Sequence, residues 1–98
     1  MLIAHVTFPV SSENRTLAID TLTKEIADVR AMTGCVAFVP FLDPTNETDV
    51  GVLHEWESAD DFAAYIASDS FAAIGAVLRP ILVALPVSKR FDATLIDT

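Results

Sequence analysis

The 98-residue sequence has one cysteine, three glycines, two histidines and only six basic residues. With Cys35 alone, no disulfide can close within the chain and no thiolate cluster can be assembled, which fits a reducing compartment. Gly34, Gly51 and Gly75 make no phosphate-cradling loop, and no serine lies in a G-x-S-x-G elbow. The two histidines and the cysteine lack metal-ligand spacing, so no metal is expected. Six Lys and Arg against fourteen Asp and Glu give a net charge of −8. That sign repels phosphate backbones and anionic surfaces, which argues against nucleic acid and membrane as partners. A basic n-region is also missing: the first Arg is Arg15, and Pro9 interrupts the apolar start, so no signal peptide is expected. Residues 70–88 approach the length of a membrane span, but Arg79 and Pro80 sit at their centre. A soluble, cytoplasmic protein is the expectation.

Apolar residues, by contrast, are abundant, at 52% of the chain. The length suits one compact domain over residues 1–98, and so small a domain cannot hide that much apolar surface. A covering partner is expected, most simply a second copy.

Residues 2–10, LIAHVTFPV, alternate in strand fashion, with Pro9 near the end. Ser11, Ser12 and Glu13 open a helix in which Ile19, Leu22, Ile26 and Val29 recur at helical spacing, predicting a helix over 13–31 that stops at Gly34. Residues 35–43 and 49–57 predict two strands joined by a polar turn, hence an antiparallel hairpin. In the second of these, Val50, Val52, His54 and Trp56 share one face and Gly51, Leu53, Glu55 and Glu57 the other. Neither face is cleanly polar, so both should be partly covered. Ser58 with Asp60 and Asp61 caps a further helix carrying Phe62, Tyr65 and Ile66. Ser68 or Ser70 caps its continuation, which Pro80 should kink or split at Arg79. Residues 86–95 predict a last strand with Val87, Phe91, Ala93 and Leu95 as candidates for burial. The order strand, helix, strand, strand, helix, strand is that of the ferredoxin-like α+β unit, a four-stranded antiparallel sheet with helices on one face. Its other face asks for a lid, and sheet-to-sheet dimerisation supplies one.

The run GVLHEWESADDFAAYIASDSFAAI, residues 51–74, resembles the central segment of the antibiotic biosynthesis monooxygenase family. There a strand ends in an acid and a Trp, a serine caps the next helix, and an aromatic pair follows. TGCVAFVPFLD, residues 33–43, is similar to that family's turn into its second strand, with Gly34 at the usual glycine. The resemblance implies a dimeric α+β barrel of two ferredoxin-like protomers, each with an apolar pocket between helices and sheet. Some members oxygenate aromatic polyketides or quinols without metal or flavin; others degrade haem. The haem-degrading members use an Asn in the first strand, which this chain lacks. Their helical Trp position looks like Tyr65 and their proximal His position like Gly75, so haem has no axial anchor there.

Oxygenation without a cofactor needs an electron-rich substrate that can lose a proton, a hydrogen bond to the developing anion, and a dry cavity. His5 and His54 are the candidate bases or hydrogen-bond partners, and Tyr65 the candidate phenol. Trp56, Phe62, Phe38 and Phe71 are candidate substrate-contacting aromatics. Each has a plainer role open to it: His5 as a hydrogen-bonded group at a dimer face, the aromatics as core, Glu55 as a salt-bridge partner, and Cys35 as a buried structural thiol. The leading expectation is a homodimeric, cofactor-free monooxygenase acting on a hydroxylated aromatic, polyketide or quinol-like molecule. A non-catalytic module binding an apolar small molecule, or a structural dimerisation unit, are the alternatives. An open cavity with convergent His and Tyr favours the first, an open cavity without them the second, and a filled one the third.

Overall fold

A computed structural model describes all of Met1–Thr98. The elements run β1 (Leu2–Phe8), α1 (Arg15–Lys24), α2 (Ile26–Arg30), β2 (Cys35–Phe41), β3 (Val50–Trp56), α3 (Ala59–Ile66), α4 (Asp69–Leu78) and β4 (Val87–Asp92). The strands form one antiparallel sheet in the order β2-β3-β1-β4. This is the ferredoxin-like α+β arrangement, with the helices on one face of the sheet.

Each boundary has a local cause. β1 stops at Phe8 because Pro9 has no N–H for the ladder. Gly34 takes φ +77°, the left-handed conformation that reverses the chain into β2. Ser58 Oγ accepts from Asp61 N at 3.1 Å and Ser68 Oγ from Phe71 N at 3.2 Å, so serine hydroxyls start both α3 and α4. α4 ends at Leu78, and Pro80 falls in the single 3₁₀ turn Arg79–Ile81 that follows, as its missing donor requires.

Two expectations need correction. The helix predicted over 13–31 is a 3₁₀ turn at Ser12–Asn14 followed by α1 and α2, broken at Glu25. Just before the break, the hydroxyls of Thr21 and Thr23 donate to the carbonyls of Leu17 and Ile19, each at 2.7 Å. Such back-bonding loads the helix carbonyls and bends the axis. The last strand is shorter than 86–95, and Val87, Phe91 and Leu95 are exposed, at 51%, 48% and 68%. β4 lies at the sheet edge, and alternation sends Val87 and Phe91 to the face that no helix covers.

The core lies between sheet and helices. Trp56, Phe38, Leu22, Leu78, Val10, Val29 and Val50 are its largest fully buried side chains. Arg15 ties the helical layer to the β2–β3 connection: its Nε donates to Asp49 O at 3.1 Å, and a terminal nitrogen reaches the carbonyls of Asp43 and Asn46.

Candidate functional site

Strand pairing arranges the site before any side chain is considered. Phe38 pairs with His54, His54 with Ala4, and Ala4 with Arg90, so these four residues form one row across the sheet on the helix side. Ala4, the smallest of them, separates His54 from Arg90 by two strand spacings, or about 10 Å between Cα atoms. Between His54 and Arg90 of this row and the neighbouring row Val52–Val6–Ser88 below, and α3 and α4 above, lies an apolar cavity of about 260 Å³. His54, Tyr65, Phe62 and Phe71 line it, together with Val52, Ile74 and Leu78. Arg79, Leu82, Pro86, Ser88 and Arg90 form the wall toward β4. The chain's own side chains leave this space unfilled.

His54 is 3% exposed, and its imidazole is set by a neighbour on its own strand. Trp56 Nε1 and His54 Nδ1 are 2.9 Å apart. An indole nitrogen can only donate, so Nδ1 accepts and the ring proton sits on Nε2. No buried polar side-chain atom lacks a hydrogen-bond partner. Burial, and then the positive charge of Arg90, push the His54 pKa down from 6.5 to about 4, so the ring is neutral at pH 7. His54 is therefore a hydrogen-bond donor through Nε2–H.

Tyr65 stacks on Trp56 with centroids 5.3 Å apart and meets Phe38, His54 and Phe71 edge-on at 5.5–5.8 Å. Burial raises its phenol pKa, and Glu25 and Cys35 add to the effect, so the hydroxyl stays protonated. Glu25 stands at the break between α1 and α2 and Cys35 at the start of β2, the edge strand opposite the one that carries Arg90.

The structure brings His54, Tyr65, Phe62 and Phe71 together at one cavity. Trp56 and Phe38 are fully buried beside it and support the rings that line it. His5 is elsewhere: it pairs with Leu53 and points to the opposite face, where it meets Phe91 edge-on at 5.6 Å. A broader, more open hollow there is lined by His5, Thr7, Val39, Phe41, Leu53, Val87 and Lys89.

Sequence reasoning missed Arg79, Ser88 and Arg90. Alternation in β4 puts Ser88 and Arg90 on one face, but only the β1–β4 register shows that this face is the helix side. Arg90 lies with Cζ 4.8 Å above the Phe62 ring, and its Nε donates to Ser88 Oγ at 3.3 Å. At Gly75, any Cβ would come within 3.3 Å of the Arg79 guanidinium, so the glycine makes room for that group to lie against α4.

Sheet order, helical layer and enclosed apolar cavity together define an α+β ferredoxin-like domain built around a small-molecule-sized space. Residues 1–77 match the profile of antibiotic biosynthesis monooxygenases, and the chain belongs to that family. Among solved structures it is similar to a Deinococcus radiodurans protein provisionally described as an antibiotic biosynthesis monooxygenase. That pair shares 16% identity, a TM-score of 0.90, and coverage of 100% of this chain and 97% of the other. A Nitrosomonas europaea protein with the same provisional description gives 9% identity and a TM-score of 0.91, covering 97% and 100%. Rv0793 from Mycobacterium tuberculosis gives 12% identity and 0.89, covering 99% and 98%. At these identities the likeness is one of fold. No curated protein matches the sequence. No single helix is long and apolar enough to cross a membrane.

Proposed function

We propose that the protein is a cofactor-independent monooxygenase that oxidises a hydroxylated aromatic or quinol-like molecule with dioxygen. The observation that carries this reading is the neutral His54, oriented by Trp56, whose Nε2–H is free to donate to a ligand in the apolar cavity that the residue lines. The volume, about 260 Å³, lies just below the range of about 300–1,000 Å³ usual for small-molecule sites. It suits one or two fused rings better than a larger polycycle.

The chemistry asks little of the protein. The phenol loses its proton to solvent on entry, and the bound phenolate passes one electron to dioxygen. Superoxide and the carbon radical then combine into a hydroperoxide at a ring carbon bearing hydrogen, and loss of water leaves a carbonyl. In sum, a phenol with such a C–H and one O₂ yield a quinone and one water; the substrate loses four electrons and dioxygen gains four. His54 stabilises the phenolate by donating through Nε2–H. With Nδ1 occupied and a pKa of about 4, His54 serves as hydrogen-bond partner, and the phenolic proton goes to solvent as the substrate enters, before the oxygen reaches His54. The apolar walls exclude other water from the radical pair.

The second copy expected from the composition belongs to this reading. It would cover the uncovered sheet face, where Val39, Phe41, Val87 and Phe91 are 40–51% exposed. His5 would then be an interface residue.

Oxygen uptake by chelator-treated protein with 1-naphthol, anthrone and naphthohydroquinone tests the function. Uptake above the spontaneous rate is expected, with one atom of ¹⁸O₂ entering the 1-naphthol and anthrone products. His54→Gln should lower kcat roughly 100-fold. Binding without uptake across the panel would leave a small-molecule-binding module in its place.

A further inference from the structure

The polar atoms around the cavity share one property that catalysis at the His54 end does not require. His54 offers an N–H. Ser88 Oγ accepts from Arg90, so its own proton is free to donate. Arg79 and Arg90 offer only donors and carry full positive charge. No Asp or Glu lines the space. This is a chain with fourteen acidic and six basic residues, yet the cavity beside His54 is bordered by two arginines and no acid. Arg90 is also pre-organised, held by Ser88 through Nε and laid over Phe62, which leaves its terminal nitrogens for a ligand.

We infer that the substrate is an anion: a hydroxylated aromatic carboxylate whose hydroxyl meets His54 and whose carboxylate meets Arg90, with Arg79 adding charge at the mouth. The inference rests on the cavity being the substrate site, as in the proposed function. The cavity of about 260 Å³ suits a two-ring aromatic, and His54 and Arg90 both line it from strands two spacings apart on one face of the sheet, so one ligand carrying the hydroxyl and the carboxylate can meet both. Val52 and Val6, the next cross-strand pair on the same face, floor the cavity between them with apolar side chains. Guanidinium recognises carboxylate through paired N–H donors, and the uncharged ester of the same acid loses that interaction.

The test uses 6-hydroxy-2-naphthoate and its methyl ester, titrated into the purified protein at pH 7 and followed by calorimetry. Arg79→Gln, Arg90→Gln and the double variant are run alongside, with circular dichroism to confirm that each folds. The acid should bind about tenfold more tightly than the ester. Arg90→Gln should remove most of that preference and the double variant all of it, while the ester's affinity stays within about twofold of the parent's. Equal binding of acid and ester by the parent overturns the inference, as does a preference that survives in the folded double variant. Binding of neither compound overturns it too. Oxygen uptake is measured on the same samples and separates the two readings: a carboxylate preference without turnover keeps the anion site and removes the monooxygenase, and turnover without preference does the reverse.

Discussion

Trp56 and His54, two residues apart on β3 and pointing to the same side, are joined by an Nε1–H···Nδ1 hydrogen bond of 2.9 Å that fixes which imidazole nitrogen carries the proton. Trp56→Phe keeps a ring in the fully buried position but removes the donor. Nδ1 is then left without its partner, at a cost of about 1–3 kcal/mol on top of the lost packing. Nitrogen NMR should find His54 protonated at Nε2 alone in the parent and a mixture of tautomers in the variant. An unchanged Nε2–H signal in the variant would mean that the cavity, not Trp56, sets the tautomer.

The same imidazole should make stability depend on pH. In the folded protein His54 titrates near 4, against 6.5 for the free group, so between these values the unfolded chain binds the proton more readily. Stability from this residue is therefore complete above pH 6.5 and lost as the pH falls to 4. The loss is about 3 kcal/mol. Urea titrations of the parent and His54→Gln at pH 7, 5.5 and 4.5 check it: the parent should lose more stability on acidification than the variant.

Gly34 should tolerate no side chain. Its φ of +77° disfavours any L residue, and a Cβ there would lie 2.0 Å from Asp61 Oδ2, which accepts from Ser58 Oγ. Gly34→Ala should cost more than 1 kcal/mol, seen as a lower Tm, because it strains the turn and disturbs the start of α3 together. Adding Asp61→Ala should recover part of the loss by removing the carboxyl group, while the Asp61 Cβ, 2.7 Å away, still crowds the new side chain.

The uncovered sheet face is tested by charge. The parent should scatter light at twice its 10.6 kDa chain mass, and Val39→Asp with Phe91→Asp at half that value, with unchanged circular dichroism. A parent of single-chain mass at micromolar concentration would remove the two-sheet barrel from consideration.

Periodicity and capping chemistry carried the fold a long way. Ser58, Ser68, Gly34, Pro9 and Pro80 mark boundaries through backbone effects that act within a few residues, and such effects can be read without tertiary information. The break at Glu25 could not be read that way, since the threonines that cause it also occur in unbroken helices. His54, Tyr65, Phe62 and Phe71 stood out because aromatic and imidazole groups recur at strand and helix spacing along residues 54–71. Which histidine shares their cavity depended on strand parity and on which face the helices cover. Arg90 stayed hidden for a stronger reason: its neighbours Lys89 and Asp92 make it look like part of a solvated edge. Only pairing with Ala4, 86 residues away in sequence, puts it in line with His54.

Both borders of the sheet resist extension. β2 contains Pro40, which has no N–H to offer another strand, and its register shifts between Cys35 and Ala37. β4 carries Lys89 and Arg90 side by side at its middle. A fifth strand from another molecule would meet a missing donor on one side and adjacent positive charges on the other. Lateral polymerisation is thereby discouraged, although the chain is half apolar and every residue of β4 is exposed. Removing Arg90's charge would weaken that safeguard as well as the cavity mouth, so one arginine serves both as a ligand contact and as protection against fibre-like growth.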